Sequence, residues 1–170
     1  VLRPYRSTDD DARALVALAN DPLVTRWMTA GFPYPYTLDD ARAWLTIATA
    51  DDPPNHYVIE AGGAFAGAIG IIPLAGEHRG VALFGYWLGR RFWAGGLATD
   101  AARTLARYAL RERGIRRLEA SVFAPNAASA RVLEKAGFTL EGCKRAGYVD
   151  REGNVLDELV YARLASDPEP

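Results

Sequence analysis

The sequence predicts an α+β fold: a mixed, mostly antiparallel sheet with helices on both faces. Three observations carry this expectation. The first fifty residues have the apolar spacing of helices, and strand-like runs then alternate with two further helical stretches. Gly62-Gly63 joins two strand-like runs in the manner of a tight two-residue hairpin. The chain closes on two strand-like runs, near 138–146 and 155–164, around an Arg151-Glu152-Gly153-Asn154 turn.

In chain order, Asp9 to Asn20 reads as a helix with an acidic first turn, stopped by Asp21-Pro22. Thr37 with Asp40 makes a capping-box-like start for a helix through about Ala50. Between them, Trp27 to Tyr36 is aromatic, stiffened by prolines and too apolar to be left in water, so it either packs on the sheet or lines the mouth of a site. Strands follow at Tyr57–Glu60, Phe65–Ile72 and Val81–Leu88, then a helix at 97–113, a strand at 117–123 and a helix at 126–136.

A chain of 170 residues with 49% hydrophobic content can bury one sizeable core. With no internal repeat and no linker, the expectation is a single domain over residues 1–165 and a frayed tail, Ser166 to Pro170. Net charge of −1 argues against the basic stripe that nucleic-acid binding needs, and Arg111, Arg113, Arg116 and Arg117 read as a solvated helix end. One cysteine, Cys143, permits no internal disulfide, which makes the cytoplasm the default compartment. Together with His56 and His78 it makes no typical zinc site, so no metal is expected. No apolar run approaches the length of a membrane span. Val1 is not a usual initiator, which leaves room for residues ahead of it.

The most informative stretch is Trp93-Ala94-Gly95-Gly96-Leu97-Ala98-Thr99-Asp100, where a strand feeds a helix through two glycines. Backbone N–H groups there can approach an anion closely, and the helix end adds unpaired donors and a positive dipole end; a pyrophosphate suits it. The helix that follows places Ala98, Ala101, Ala102, Leu105 and Ala109 on one face and Asp100, Arg103, Arg107 and Arg111 on the other. Small residues on the buried face let it lie close to a sheet and hold the loop rigidly.

A second constellation, Asn126 to Phe138 with Ser129 and Gly137, comes directly after the strand at Leu118 to Phe123. With both segments in this order, the chain resembles the GNAT acetyltransferases, most closely the RimJ/RimL-type branch that acts on ribosomal-protein N-termini. The resemblance runs from Leu2-Arg3-Pro4 through Tyr34-Pro35-Tyr36-Thr37-Leu38-Asp39-Asp40-Ala41 to Gly142, Arg145, Gly153 and Asp157-Glu158-Leu159-Val160-Tyr161. It implies a GNAT-like twisted sheet and acetyl-CoA as co-substrate. By the same resemblance, Tyr86-Trp87-Leu88 splays from its neighbour and offers backbone groups to the pantetheine arm and acetyl carbonyl, while Trp93, Ala94, Gly95, Gly96, Leu97, Ala98 and Thr99 wrap the pyrophosphate. The superfamily's loop motif starts with Gln or Arg three residues before its first glycine. Counting from Gly96, Trp93 stands there, which removes a side-chain charge and keeps the backbone donors.

Asn126, just ahead of a helix, is a good N-cap, and the family's matching Asn also touches pantetheine. The family's matching Ser lies near the sulfur, which makes Ser129 the candidate to protonate the leaving thiolate. Many GNAT enzymes use a Tyr four positions later; this chain has Leu133 there. The candidate base is Glu119, on one strand face with Ser121 and Phe123 by alternation, with a surface ion pair to Arg116 or Arg117 as its alternative role.

An acceptor amine attacks only when neutral. From reference pKa values near 7.8 and 10.4, roughly 10–15% of an α-amine but only about 0.04% of a lysine is neutral at pH 7, a gap of a few hundredfold. A site with a weak base therefore favours an N-terminal α-amine. The expected activity is direct acetyl transfer to a protein N-terminal α-amine, with a small amine such as an antibiotic or polyamine as the alternative acceptor. A non-catalytic acyl-CoA sensor is the alternative of a different class. The expected partners are acetyl-CoA and a peptide or small-molecule amine, with neither nucleic acid nor membrane, and with a homodimer left open.

Overall fold

The computed structural model describes residues 1–170. The elements are β1 (Leu2–Pro4), α1 (Asp9–Ala19), α2 (Pro22–Thr25), α3 (Leu38–Ala48), β2 (His56–Ala61), β3 (Ala64–Pro73), β4 (Val81–Leu88), α4 (Leu97–Glu112), β5 (Arg117–Phe123), α5 (Ala127–Lys135), β6 (Thr139–Val149) and β7 (Val155–Leu164), with short 3-10 turns at Gly76–His78 and Arg90–Phe92. The seven strands read β1-β2-β3-β4-β5-β7-β6 across a mixed, mostly antiparallel sheet. The chain forms two compact units: residues 1–70 with 86–97, and residues 71–85 with 98–170. β3 and β4 each contribute to both.

In the first unit, each helix starts where a side chain satisfies an amide that has no partner one turn back. Thr8 accepts from the Asp11 amide, and Asp21 accepts from Leu23 ahead of Pro22. Thr37 and Asp40 make the full reciprocal capping box that the sequence predicts. The hairpin at Gly62-Gly63 also forms as expected. Both glycines have positive φ, +56° and +79°, and Ala61 pairs with Ala64, the geometry of a two-residue turn matched to strand twist.

The core of this unit gathers Tyr5, Leu15, Tyr36, Leu45, Val58 and Phe65, with Phe32, Trp44 and Trp87 packed against it. The aromatic segment 27–36 therefore packs through Phe32 and Tyr36, whose rings lie 5.1 Å apart, while Tyr34 stays exposed. Asn20 locks the segment by exchanging two 2.8 Å hydrogen bonds with the Tyr36 backbone.

Two elements of this unit escape the periodicity argument. β1 has three residues, too few to display alternation, and Leu2, Arg3 and Pro4 pair with Ile59, Val58 and Tyr57. Arg3 holds it in place: the guanidinium binds both oxygens of buried Asp11 at 2.9 and 2.7 Å and donates to Glu60 at 3.1 Å. The four-residue α2 is a single capped turn with Pro at its start, where the missing N–H costs nothing.

In the second unit, β4 and β5 run parallel, as a strand–helix–strand connection through α4 requires, with Val81, Ala82 and Leu83 opposite Arg117, Leu118 and Glu119. β5 pairs antiparallel with β7 along its whole length, from Arg117↔Leu164 to Phe123↔Glu158, and β6 covers the other side of β7. α4 buries Ala101, Ala102, Leu105 and Ala109 of the face that the sequence marks out; Ala106 joins them, and Ala98, at the start of the helix, is only half-buried. α5 ends at Lys135 with Ala136 as its C-cap, followed by Gly137 with φ +84°, and buried Arg163 of β7 donates to the Ala136 carbonyl at 2.9 Å. Near the end of the chain, Glu169 forms ion pairs with Arg107, Arg111 and Arg163. No helix is long and apolar enough to cross a membrane.

Candidate active site

The glycine loop is built by its neighbours before it binds anything. β4 ends at Leu88, and a Cβ on Gly67 of β3 would run into the Trp87 carbonyl; glycine at 67 is what lets the two backbones meet there. The Gly89 amide then donates to the Ala66 carbonyl at 2.9 Å, fixing the strand end. Trp87 places its ring against Phe32, 5.8 Å between centroids and nearly perpendicular.

Trp93, the departure from the superfamily's charged residue, has a structural job. Its indole N–H donates to the Leu88 carbonyl at 2.9 Å, so the first residue of the loop is tied back to the last residue of the strand. From there the chain turns through two residues with positive φ, Ala94 at +63° and Gly96 at +79°. Trp93, Ala94, Gly95 and Gly96 are all exposed. A Cβ added at Gly95 or Gly96 would meet nothing within 4 Å, so protein packing does not demand glycine at 95.

Leu97 follows at once as the first residue of α4. Thr8, Asp21, Thr37 and Asn126 each cap a helix with a side-chain oxygen. Gly96, ahead of α4, has no side chain to offer. The leading amides of α4, from Leu97, Ala98 and Thr99, have no carbonyl one turn back to bind. Beside them lies the open space at Gly95 and Gly96, which an anion with several acceptor oxygens fits.

In the second unit, the register of β4 with β5 ends at Leu83↔Glu119; of the five residues of β4 that follow, Phe84 and Gly85 belong to this unit and Tyr86–Leu88 to the first. β5 leads through Ala124-Pro125 into α5, where Asn126 is the N-cap and accepts from the Ser129 amide at 3.2 Å. Asn126 and Ser129 are thus brought together on the first turn of α5. Glu119 is not brought to them: Arg117 donates to it at 2.7 Å and also grips Glu141 through two bonds of 2.8 and 2.5 Å. The ion-pair alternative is the arrangement that forms. Those bonds hold the Glu141 carboxyl below its ordinary range.

One polar group near this helix start was not singled out from the sequence. Glu158 of β7 is buried, accepts from Ser121 at 2.6 Å and from the Lys144 ammonium at 3.0 Å, and stands opposite Phe123. The sequence presents Glu158 only as part of a closing motif. Its proximity to β5 depends on a strand pairing that alternation cannot supply.

Residues 1–139 match the model of the acetyltransferase (GNAT) domain. The chain belongs to the GNAT acetyltransferase family. Among its relatives, the probable N-acetyltransferase YjcK of Bacillus subtilis is 39% identical over 104 residues, a stretch that covers 59% of this chain and spans 57% of that relative's length. Among solved structures, the ribosomal L7/L12 α-N-protein acetyltransferase RimL in complex with coenzyme A superposes with TM-score 0.83 at 23% identity, covering 96% of this chain and 92% of that one. The microcin C7 self-immunity acetyltransferase MccE, in complex with acetyl-CoA and AMP, gives 0.81 at 21%, covering 96% and 91%. At these identities the two structures establish a shared fold.

Proposed function

We propose that the protein is an acetyl-CoA-dependent N-acetyltransferase whose acceptor is a protein N-terminal α-amine. The observation that carries this reading is the loop at 93–99: exposed from Trp93 to Gly96, turned by positive φ at Ala94 and Gly96, open beside both glycines, and leading straight into α4 from Gly96, which has no side chain to cap it. In a GNAT chain this arrangement suits the pyrophosphate of acetyl-CoA, held by backbone donors of Gly95, Gly96, Leu97, Ala98 and Thr99. Tyr86, Trp87 and Leu88 lie past the end of the β4–β5 register and are the residues proposed to meet the pantetheine arm and acetyl carbonyl. Asn126 is the second proposed pantetheine contact.

The chemistry is direct. A neutral amine adds to the thioester carbonyl carbon, a C–N bond forms, and the sulfur leaves with the C–S electron pair. The Ser129 hydroxyl, one turn into α5, is proposed to give a proton to that sulfur. An α-amine is the acceptor favoured on energetic grounds, because its neutral fraction at pH 7 exceeds that of a lysine by roughly a few hundredfold.

The test is acetyl-CoA turnover against a panel of peptides with free N-termini, lysine-bearing peptides with blocked N-termini, and small amines including a polyamine and an aminoglycoside. The reading expects peptides with free N-termini to lead. A small amine as the best substrate would keep the acetyltransferase and reject the acceptor; acetyl-CoA binding without turnover of any amine would reject catalysis.

A further inference from the structure

The Glu158 cluster lies at the end of β5 that leads into α5. β5 delivers Asn126 and Ser129 from its C-terminal end, and Glu158 faces Phe123 at that end. Glu119 lies four residues back along the same strand, about 13 Å away at the usual rise per residue. The register puts Ser121, Phe123, Glu158 and Lys144 on one face of the sheet, opposite the face that carries Leu118, Val122 and Tyr161. Ser121 is exposed there.

Several features of the chain serve this one carboxylate. β6 breaks register between Lys144 and Tyr148, with Ala146 at φ +55°, and a break of this kind re-aims the flanking side chains. Asp157 holds it, accepting from the Ala146 amide at 2.8 Å while its own carbonyl accepts from Ala124 at 2.9 Å. Gly147 leaves room: a Cβ there would stand 2.9 Å from the Glu158 Cβ and 3.0 Å from its Oε2. Tyr148 stacks on Phe123, 4.3 Å between centroids, and shares a hydrogen bond with Ser121. Burial and the Glu158 charge push the Tyr148 hydroxyl above its ordinary range.

Every charged or titratable group facing Glu158 can be named: Lys144 and Tyr148 from β6, and Glu119 farther along β5, with the Ser121 hydroxyl between. No arginine holds the carboxylate. Its one cationic partner is Lys144, whose side chain is 63% exposed and so free to swing into water, whereas that of Glu158 is 10% exposed. A primary ammonium 3.0 Å from a nearly buried carboxylate is the pose that an acceptor amine would take.

We infer that Glu158 is the residue that receives the acceptor's primary ammonium and takes its proton, with Lys144 as the occupant that the acceptor displaces. The inference rests on the acetyltransfer reading above and adds its base. Glu158 accepts one proton from R–NH3⁺, leaving R–NH2, which attacks the thioester carbon as the C–S bond breaks. The second proton lost by nitrogen balances the one that Ser129 gives to the thiolate. The first passes from Glu158 through Ser121 and Tyr148 to water, so the sum is R–NH3⁺ plus thioester to amide, free thiol and one H⁺.

The experiment compares wild type with Glu158→Gln and Lys144→Met, using a hexapeptide with a free N-terminal Ala and no lysine, and spermidine as the second amine. Glu158→Gln, which keeps an acceptor for Ser121, should lower kcat/KM for the peptide by roughly 10- to 100-fold at pH 7 and leave acetyl-CoA affinity unchanged. The gap should nearly close by about pH 9, where an α-amine is neutral unaided, and persist for spermidine, whose amines stay protonated. Lys144→Met should lower the acceptor KM several-fold. A deficit that does not change with pH would mark a purely structural role and overturn the inference, as would equal rates at pH 7. If wild type uses spermidine but not the peptide, and spermidine turnover needs Glu158, the inference stands while the α-amine reading falls. Should neither amine turn over, titration of the peptide into CoA-saturated protein decides: about tenfold weaker binding in Glu158→Gln supports the seat, and equal affinity overturns it.

Discussion

Gly95 separates what the fold needs from what the ligand needs. It is exposed, its φ lies outside the left-handed region, and a Cβ there would meet no atom within 4 Å. Gly95→Ala and Gly95→Asp should therefore both fold, with stability within about 0.5 kcal/mol of wild type, as for surface changes away from special features. The carboxylate of Gly95→Asp would face the pyrophosphate. Two unit charges about 5 Å apart repel by about 0.8 kcal/mol in bulk water and about 3.3 kcal/mol at an effective dielectric near 20. With two negative charges on the pyrophosphate, the loss is about 2–7 kcal/mol, at least roughly 20-fold in Kd. Calorimetry should find that loss for Gly95→Asp and a much smaller one for Gly95→Ala. By melting, acetyl-CoA at about 100 times its wild-type Kd should add about 2.7 kcal/mol, roughly 5–11 °C for a chain of this size, and most of it should vanish in Gly95→Asp. A folded Gly95→Asp protein with wild-type acetyl-CoA affinity would refute the assignment of the loop.

Two further outcomes follow from particular residues. Ser129→Ala should lower kcat by about 10- to 1000-fold while leaving acetyl-CoA affinity near wild type and keeping the N-cap bond, which Asn126 accepts from the backbone amide of residue 129; unchanged kcat would leave Ser129 as a helix residue only. Burial pushes the Asp11 carboxyl up, but hydrogen bonds from the Arg3 guanidinium and the Arg6 amide outweigh it, so its folded pKa lies below its ordinary value. That stabilisation is present above the ordinary carboxylate pKa and is lost as pH falls through the lowered one. Asp11→Ala should cost about 2–4 kcal/mol at pH 7, somewhat less than a fully buried pair because Arg3 keeps Glu60, and should flatten the acid limb of a stability–pH curve; an unchanged limb would mean that the pair carries none of it.

What was legible in the sequence was what local chemistry decides. The Thr37–Asp40 capping box and the Gly62-Gly63 hairpin are each written within a few residues of themselves and form as read, and the alanine face of α4 forms with Ala106 in place of Ala98. β1 was not legible, because three residues show no period and its anchor, Arg3 on Asp11 and Glu60, is a contact between distant parts of the chain. At the site, the glycine loop and the Asn126–Ser129 turn could be found because glycine conformation and helix capping are local rules. The structural job of Trp93 could not, since a bond to the Leu88 carbonyl depends on how the loop folds back. The position of Glu119 illustrates a different limit. Alternation correctly placed it on the face of Ser121 and Phe123, but only strand register reveals that Arg117 holds it and that Glu158 occupies the end of the strand nearest Asn126.

Acetyl transfer to an α-amine can be separated from transfer to a lysine with two peptides. Two peptides of the same sequence are incubated with protein and acetyl-CoA at pH 7, one with a free N-terminus and no lysine, the other N-terminally blocked with a single lysine, and the products are followed by mass. Acetylation of the free N-terminus is expected at a kcat/KM at least roughly 100 times that of the lysine peptide, in line with the neutral-amine fractions. Faster modification of the blocked lysine peptide would contradict it.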